Sequence, residues 1–310
     1  MEHQHETYYV PEQSKLPIFA SIALFLTVFG LGNYLNELSA DKDGSGFTIF
    51  LVGFALLAFV LFKWFSIVVD ENMRGLNSAQ LKRSFVWGMG WFIFSEVMFF
   101  SAFFGALWYL RNMSLPHLGT GPTSELLWGG FQADWPLMVT PDMAANGEGA
   151  GVFGPEKNMS NPGVGNWTGW LPFWNTLVLI TSSFTVHFAH TALKNNKKGG
   201  LFGFNAWLGL TVVLGIIFLI LQVEEYLHAY QHMGLTLETG VYGTTFFMLT
   251  GFHGLHVTMG TFMLLVQWLR SVTKGHFSHH DCFGFEASSW YWHFVDVVWV
   301  ALFIFVYIMG

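Results

Sequence analysis

The sequence predicts an all-α polytopic membrane protein with seven transmembrane helices, and three observations carry the prediction. Apolar side chains make up 53% of the 310 residues and aromatic ones 18%, whereas charged residues reach only 11%, far below the roughly 25% of soluble domains. Seven segments, 16–37, 46–69, 85–110, 170–192, 202–227, 240–269 and 284–308, each supply the run of about 20 predominantly apolar residues that a spanning helix needs. The cations are unevenly placed. With the N-terminus in the cytoplasm, Lys15, Lys63, Arg74, Lys82, Arg83, Lys194, Lys197, Lys198, Arg270 and Lys274 face inward, and only Lys42, Arg111 and Lys157 face outward. That positive-inside pattern sets an N-in, C-out topology. The one cysteine, Cys282, excludes an internal disulfide, a Cys-x-x-Cys pair and a thiolate-bridged copper or iron–sulfur site.

The first segment follows an acidic tail (Glu2, His3, His5, Glu6, Glu12) with neither a basic region nor a small-residue cleavage site. It is expected to be a retained span rather than a signal peptide. In the third segment, Glu96 falls near the bilayer midplane among Phe and Trp neighbours. Two readings stand for this buried carboxyl: a proton-linked group, or a neutral acid docking a neighbouring helix. The stretch 112–169 holds six of the nine prolines and eleven glycines, which predicts irregular structure in an external loop. Its acids outnumber its single base, and Trp128, Trp135, Trp167 and Trp170 predict that it lies down at the interface.

The fourth segment carries His187 and His190 just before Lys194, Lys197 and Lys198, read as interfacial groups near a polar boundary. In the fifth, adjacent Glu224 and Glu225 diverge by about 100° on a helix, so at most one points inward; Glu225 is favoured. The sixth places His253, His256 and Gly260 on one face, with Gly251, Gly254 and Gly260 expected to admit a neighbouring backbone. Interhelical hydrogen bonding is the default there; a metal or haem would need further ligands. The seventh gathers Glu286, Ser289, His293 and Asp296 within roughly an 80° arc. This is a polar seam facing protein, in which His293 and Asp296 are close enough to share a hydrogen bond, with a proton relay as the sharper alternative. Lys63, Trp64, Arg74, Lys82, Arg83, Arg270, Lys274, His276, His279 and His280 form a basic, aromatic-flanked rim of the kind that attracts anionic headgroups.

Taken together, Trp87-Gly-Met, Ser95-Glu96-Val-Met-Phe-Phe, Gly240-Val-Tyr-Gly-Thr-Thr-Phe-Phe, Gly251-Phe-His-Gly-Leu-His256, Phe283-Gly-Phe-Glu-Ala and Trp290-Tyr-Trp-His-Phe-Val-Asp-Val-Val-Trp299 resemble subunit III of aa3-type cytochrome c oxidase. The resemblance runs through spans three to seven in order, and the long 112–169 loop departs from the compact family version. It implies a non-redox accessory subunit beside the haem- and copper-bearing subunit I and the copper-bearing subunit II, in a complex that reduces O2 with cytochrome c and pumps protons. Haem and copper then belong to the partners, and this chain carries bound phospholipid but no metal; no nucleic-acid partner is expected. The implied fold is two bundles, two helices and five, separated by a V-shaped lipid cleft. Residues 1–69 would form the tail and two-helix bundle, 70–84 a cytoplasmic linker and 85–310 the five-helix bundle. Onto this chain the resemblance carries Glu96 as the buried carboxyl and Trp64, Arg270 and His253 as headgroup or cleft contacts, in a bacterial inner membrane; Arg83 and Lys274 of the basic rim are further headgroup candidates. A quinol oxidase subunit III resembles only the last five spans. A stand-alone proton-coupled transporter, suggested by Glu96, Glu225, His293 and Asp296, lacks the expected repeats or broken helices.

Overall fold

Seven long helices dominate the chain: α1 (Leu16–Ser39), α2 (Gly46–Met73), α3 (Ala79–Tyr109), α4 (Leu171–Lys194), α5 (Phe204–His232), α6 (Gly240–Lys274) and α7 (Phe283–Leu302). Each is long and apolar enough to cross a membrane, α3 continuing helically to Thr120 and α7 to Ile308. The computed structural model describes residues 9–147, 154–156, 159–160, 163–278 and 282–310, and these contain no strand. The all-α, seven-span expectation therefore holds.

The helices outrun the apolar segments. Helix α2 continues to Met73 through Asp70 and Glu71, α3 starts at Ala79 ahead of Lys82 and Arg83, and α6 reaches Lys274. Hydropathy marks only the length matched to hydrocarbon, whereas a helix continues into the headgroup region until its backbone is turned. Gly75 (φ 73°) and Gly275 (φ 64°) supply the left-handed turn after α2 and α6.

The start of the 112–169 stretch departs from the irregular structure expected of it. Helix α3 passes through a π-turn at Leu110–Ser114 into Leu115–Thr120, with Pro116 in the first turn of that last piece. A proline lacks the donor an uninterrupted helix would require, and a widened turn before it accommodates the loss. Further on, Thr140 Oγ1 caps a short helix, Pro141–Asn146, by accepting from Met143 N–H at 3.2 Å. Part of the stretch packs on the helices. Leu115, Phe131 and Leu137 are buried, Trp135 meets Tyr242 edge-on, and Trp167 contacts Phe173 and Phe303.

By mutual packing the chain divides into two units, Met1–Gly88 and Met89–Gly310, which groups the spans as two and five. In the first unit α1 and α2 run antiparallel. Gly30 abuts Phe50, Gly46 abuts Tyr34 and Gly53 abuts Thr27, each so closely that a Cβ would strike backbone. The Glu37 carboxylate accepts the Gly46 N–H through Oε1 (3.1 Å) and Oε2 (3.0 Å), placing negative charge at the N-terminus of α2 where orphan amides and the helix dipole favour it.

In the second unit α4 packs on α5, α5 on α6, α6 on α7 and α7 back on α4, closing a ring. Helix α7 is its most enclosed member, 61% of its apolar window being buried. Its two wholly buried tryptophans tie it to α4: Trp292 Nε1–H donates to Ser182 Oγ at 3.0 Å and Trp299 Nε1–H to Thr176 Oγ1 at 2.9 Å. Buried indoles need such partners for their one polar atom. Of the α6 glycines, Gly254 faces open space, and Gly260 admits a side chain rather than a backbone, since a Cβ there would lie 2.8 Å from the Trp292 ring. Helix α3 meets α6 and α7 through large aromatic side chains, including Phe99 on Phe252 and Phe92 on Tyr291.

Gly53→Leu forces α1 and α2 apart at backbone contact and should destabilise the first unit by about 1–3 kcal/mol, read as a lowered thermal midpoint in detergent. Gly32→Ala, which meets no atom within 4 Å, is the control. Equal midpoints for the two variants would show that the α1–α2 approach is not tight.

Candidate functional site

An ionisable side chain at membrane depth has no water to turn to, so its partners define what it can do. Glu96, on α3, lies 2.9 Å from His256 Nε2 on α6, with side-chain exposures of 20% and 12%. His256 Nδ1 is 2.6 Å from the Phe252 carbonyl. A carbonyl oxygen only accepts, so Nδ1 carries a hydrogen and Nε2 faces the carboxyl. Phe99 and Phe100 pack against the imidazole.

His253 serves a different interface. Fully buried, it donates Nε2–H to the Val295 carbonyl at 3.2 Å and packs on Phe218 of α5 and Trp299 of α7. The two α6 histidines therefore diverge, His253 toward α5 and α7 and His256 toward α3. They do not form a shared site.

The α7 seam resolves into two clusters, each completed by α4. At the N-terminal end of α7, Glu286 Oε1 accepts from His190 Nε2 at 3.0 Å and from Lys194 Nζ at 3.1 Å. Ser289 Oγ–H donates to the Glu286 carbonyl. At mid-helix, His293 Nδ1 is hydrogen-bonded to Ser183 Oγ at 2.8 Å. Asp296 Oδ2 stands 3.6 Å from the same nitrogen, an ion-pair separation rather than a hydrogen bond. So the serine of α4 and Asp296 both face the same ring nitrogen, and the α4 side chain is the closer of the two.

On α5, Glu224 is exposed, and Glu225 accepts from Gln222 Nε2 at 3.4 Å. Glu225 borders a cavity of about 840 Å³ lined also by Trp170, His228, His232, Tyr242 and Tyr307. The His228 and His232 rings stand 4.9 Å apart, centroid to centroid.

Of the headgroup candidates, Trp64 (51% exposed) stacks on Phe65, and Arg83 is exposed on the first turns of α3. Arg270 donates to Gln267 Oε1 at 3.0 Å and lies 4.9 Å over the Phe277 ring, and Lys274 is exposed. Burial, then the charges of Arg270 and Lys274, hold His276 below the ordinary histidine range. The cationic character of this edge thus comes from the arginine and lysine. His279 and His280 lie outside the described residues.

Sequence reading missed Ser183, His190 and Lys194 as partners of the seam. A signal was present: Ser183 and His190 are seven apart on α4, as are Glu286 and His293 on α7. Two antiparallel helices with that spacing bring both pairs into register. Among the described residues no group of three or more His, Cys, Asp or Glu side chains could hold a metal ion.

Comparison with known proteins gives a consistent match. The family model described as Cytochrome c oxidase subunit III matches residues 5–124 and 166–310, leaving 125–165 outside it. The chain is 34% identical to cytochrome c oxidase subunit 3 of Anopheles gambiae over 313 residues, covering 99% of this chain and 98% of that protein. It is 36% identical to the same subunit of Pisaster ochraceus over 313 residues, covering both chains fully. Against that of Prototheca wickerhamii it is 35% identical over 305 residues, covering 98% and 97%. All three relatives are eukaryotic, so the matches lend nothing to a specifically bacterial source.

His256→Leu leaves the Glu96 carboxyl without its partner and should lower stability by about 1–3 kcal/mol, with a smaller loss for Glu96→Gln, whose amide can still donate to Nε2. In a double-mutant cycle between Glu96→Leu and His256→Leu, the thermal midpoints should show a coupling of at least about 0.5 kcal/mol. Simple additivity would refute the pair.

Proposed function

The chain belongs to the cytochrome c oxidase subunit III family, and from that premise we propose that it is a non-redox accessory subunit that braces the oxidase's haem- and copper-bearing subunit I, beside the copper-bearing subunit II. In this role it covers part of the catalytic subunit's membrane face, holds structural phospholipid and supports proton uptake during O2 reduction. The observation that carries the reading is the use made of the ionisable groups in the spans. Glu96, Glu286 and His293 each bond a side chain on another helix, which is the work of a scaffold.

The lipid-binding part is supported by Lys274, exposed beyond the last apolar turns of α6, and by Arg270, whose guanidinium is held by Gln267 and Phe277. Cations at the edge of the hydrocarbon attract phosphate headgroups by charge, and an arginine fork adds directional hydrogen bonds. With ten cations on one side of the sequence-derived topology and three on the other, Lys194 and Lys274 fall on the cytoplasmic side with Glu286, His190 and His276. That edge combines fixed positive charge with groups able to exchange protons, which supports a part in delivering protons to the catalytic subunit.

Removing this chain from the purified oxidase should leave haem and copper content unchanged while shortening active lifetime several-fold during turnover with reduced cytochrome c. Immediate loss of metal, or an unchanged lifetime and unchanged proton uptake, would overturn the proposal. The double substitution Arg270→Gln, Lys274→Gln should lower the phospholipid phosphorus retained per complex; unchanged phosphorus would remove these residues from the lipid-binding part.

A further inference from the structure

The last turns of α5 carry a row of polar side chains outside the three clusters that join helices. Glu224, His228 and His232 recur every four residues and are all exposed, so they share one flank of the helix. They sit at and beyond the end of the apolar segment 202–227, on the outer side of the sequence-derived topology. All three border the cavity of about 840 Å³, which also takes in Met159 and Ser160 from the preceding connection. The two imidazoles are already close, with ring centroids 4.9 Å apart and planes inclined at 49°. One ion held by two histidine nitrogens at about 2.1 Å in tetrahedral geometry keeps those centroids roughly 5 Å apart. The observed spacing is that of a chelating pair.

The charge around the pair has the sign a cation needs. Glu224 stands one turn before His228, and the exposed Glu156 is fixed beside the end of α5 by its N–H, which donates to the Met233 carbonyl at 3.1 Å. Exposed carboxylates raise the local concentration of a cation, and imidazole selects its kind. Zn2+, Cu2+ and Ni2+ accept imidazole nitrogen, whereas Mg2+ and Ca2+ require oxygen. Among the described residues no third such side chain completes a ligand set, so the remaining positions fall to water, for which the cavity has room. The geometry points to a two-imidazole site, His228 and His232, for a divalent transition-metal ion of the zinc class, with Glu224 drawing the ion in and water completing its coordination. Zinc carries no redox chemistry, so the site is compatible with a non-redox subunit and does not depend on the accessory role argued above. Bound there, the ion ties two successive turns of α5 together at the wall of the cavity.

The test is equilibrium dialysis of radioactive Zn2+ against the intact, chelator-washed oxidase. His228→Gln and His232→Gln should each weaken one class of bound zinc several-fold, while His117→Gln, at an exposed histidine of the Leu115–Thr120 turn, should leave it unchanged. Ni2+ should displace that zinc, and Mg2+ in excess should not. If the variants fail to assemble, the unaltered protein decides: Zn2+ should slow carbethoxylation of His228 and His232 several-fold, read by peptide mass spectrometry, without slowing that of His117. Equal zinc binding by all the proteins, displacement by Mg2+ as readily as by Ni2+, or no selective protection of the pair would show that the two rings merely pack on each other. Any of these results would overturn the inference and leave the accessory role standing.

Discussion

A bilayer interior supplies neither water nor counter-ions, so every ionisable group inside a span must be satisfied by another part of a protein. That constraint organises the five-helix unit. Glu96 ties α3 to α6 through His256, Glu286 ties α7 to α4 through His190 and Lys194, and His293 ties the same two helices again through Ser183. The last two ties fall in one antiparallel register. Trp292 and Trp299 donate to Ser182 and Thr176 close to that register, so polar and aromatic groups impose the same alignment.

Packing and polarity share the work unequally. Between α6 and α7 the small Gly260 admits the Trp292 ring, and dispersion over so large a buried surface contributes more than any single hydrogen bond. Between α3 and its neighbours the contact is made by side-chain tips, with Phe99, Phe100 and Phe92 reaching Phe252, Phe294 and Tyr291. There the Glu96–His256 pair is the directional element. It fixes how α3 stands on the bundle in a way that interchangeable aromatic contacts do not.

The family match follows the helices. Every residue of the three polar clusters lies within the matched stretches, and the unmatched 125–165 falls in the sequence between α3 and α4. This segment nonetheless packs where it is described: Phe131 and Leu137 are buried, and Trp135 sits on Tyr242 at the start of α6. The long connection is therefore partly built into that end of the bundle.

Composition and hydropathy determined by themselves that this chain is an all-helical protein of seven spans, because the transfer of apolar residues into hydrocarbon is a sum over one segment and needs no knowledge of neighbours. Sequence also marked Glu96, Glu286, His293 and Asp296 as groups in need of partners, since their depth follows from position along a span. What it left open was the identity of those partners. His256 was grouped with His253 because three residues on a helix share a face, yet the two imidazoles reach different helices. Asp296 was paired with His293 because they are near in sequence, and the two do face each other at 3.6 Å, but Ser183, far away in the chain, comes closer to the same nitrogen at 2.8 Å. The proline- and glycine-rich stretch from 112 was expected to be irregular, and a π-turn carried the helix past Pro116 to Thr120. In each case the deciding quantity is the rotation and register of one helix against another. That is set by side-chain packing across the whole bundle, and no single segment encodes it.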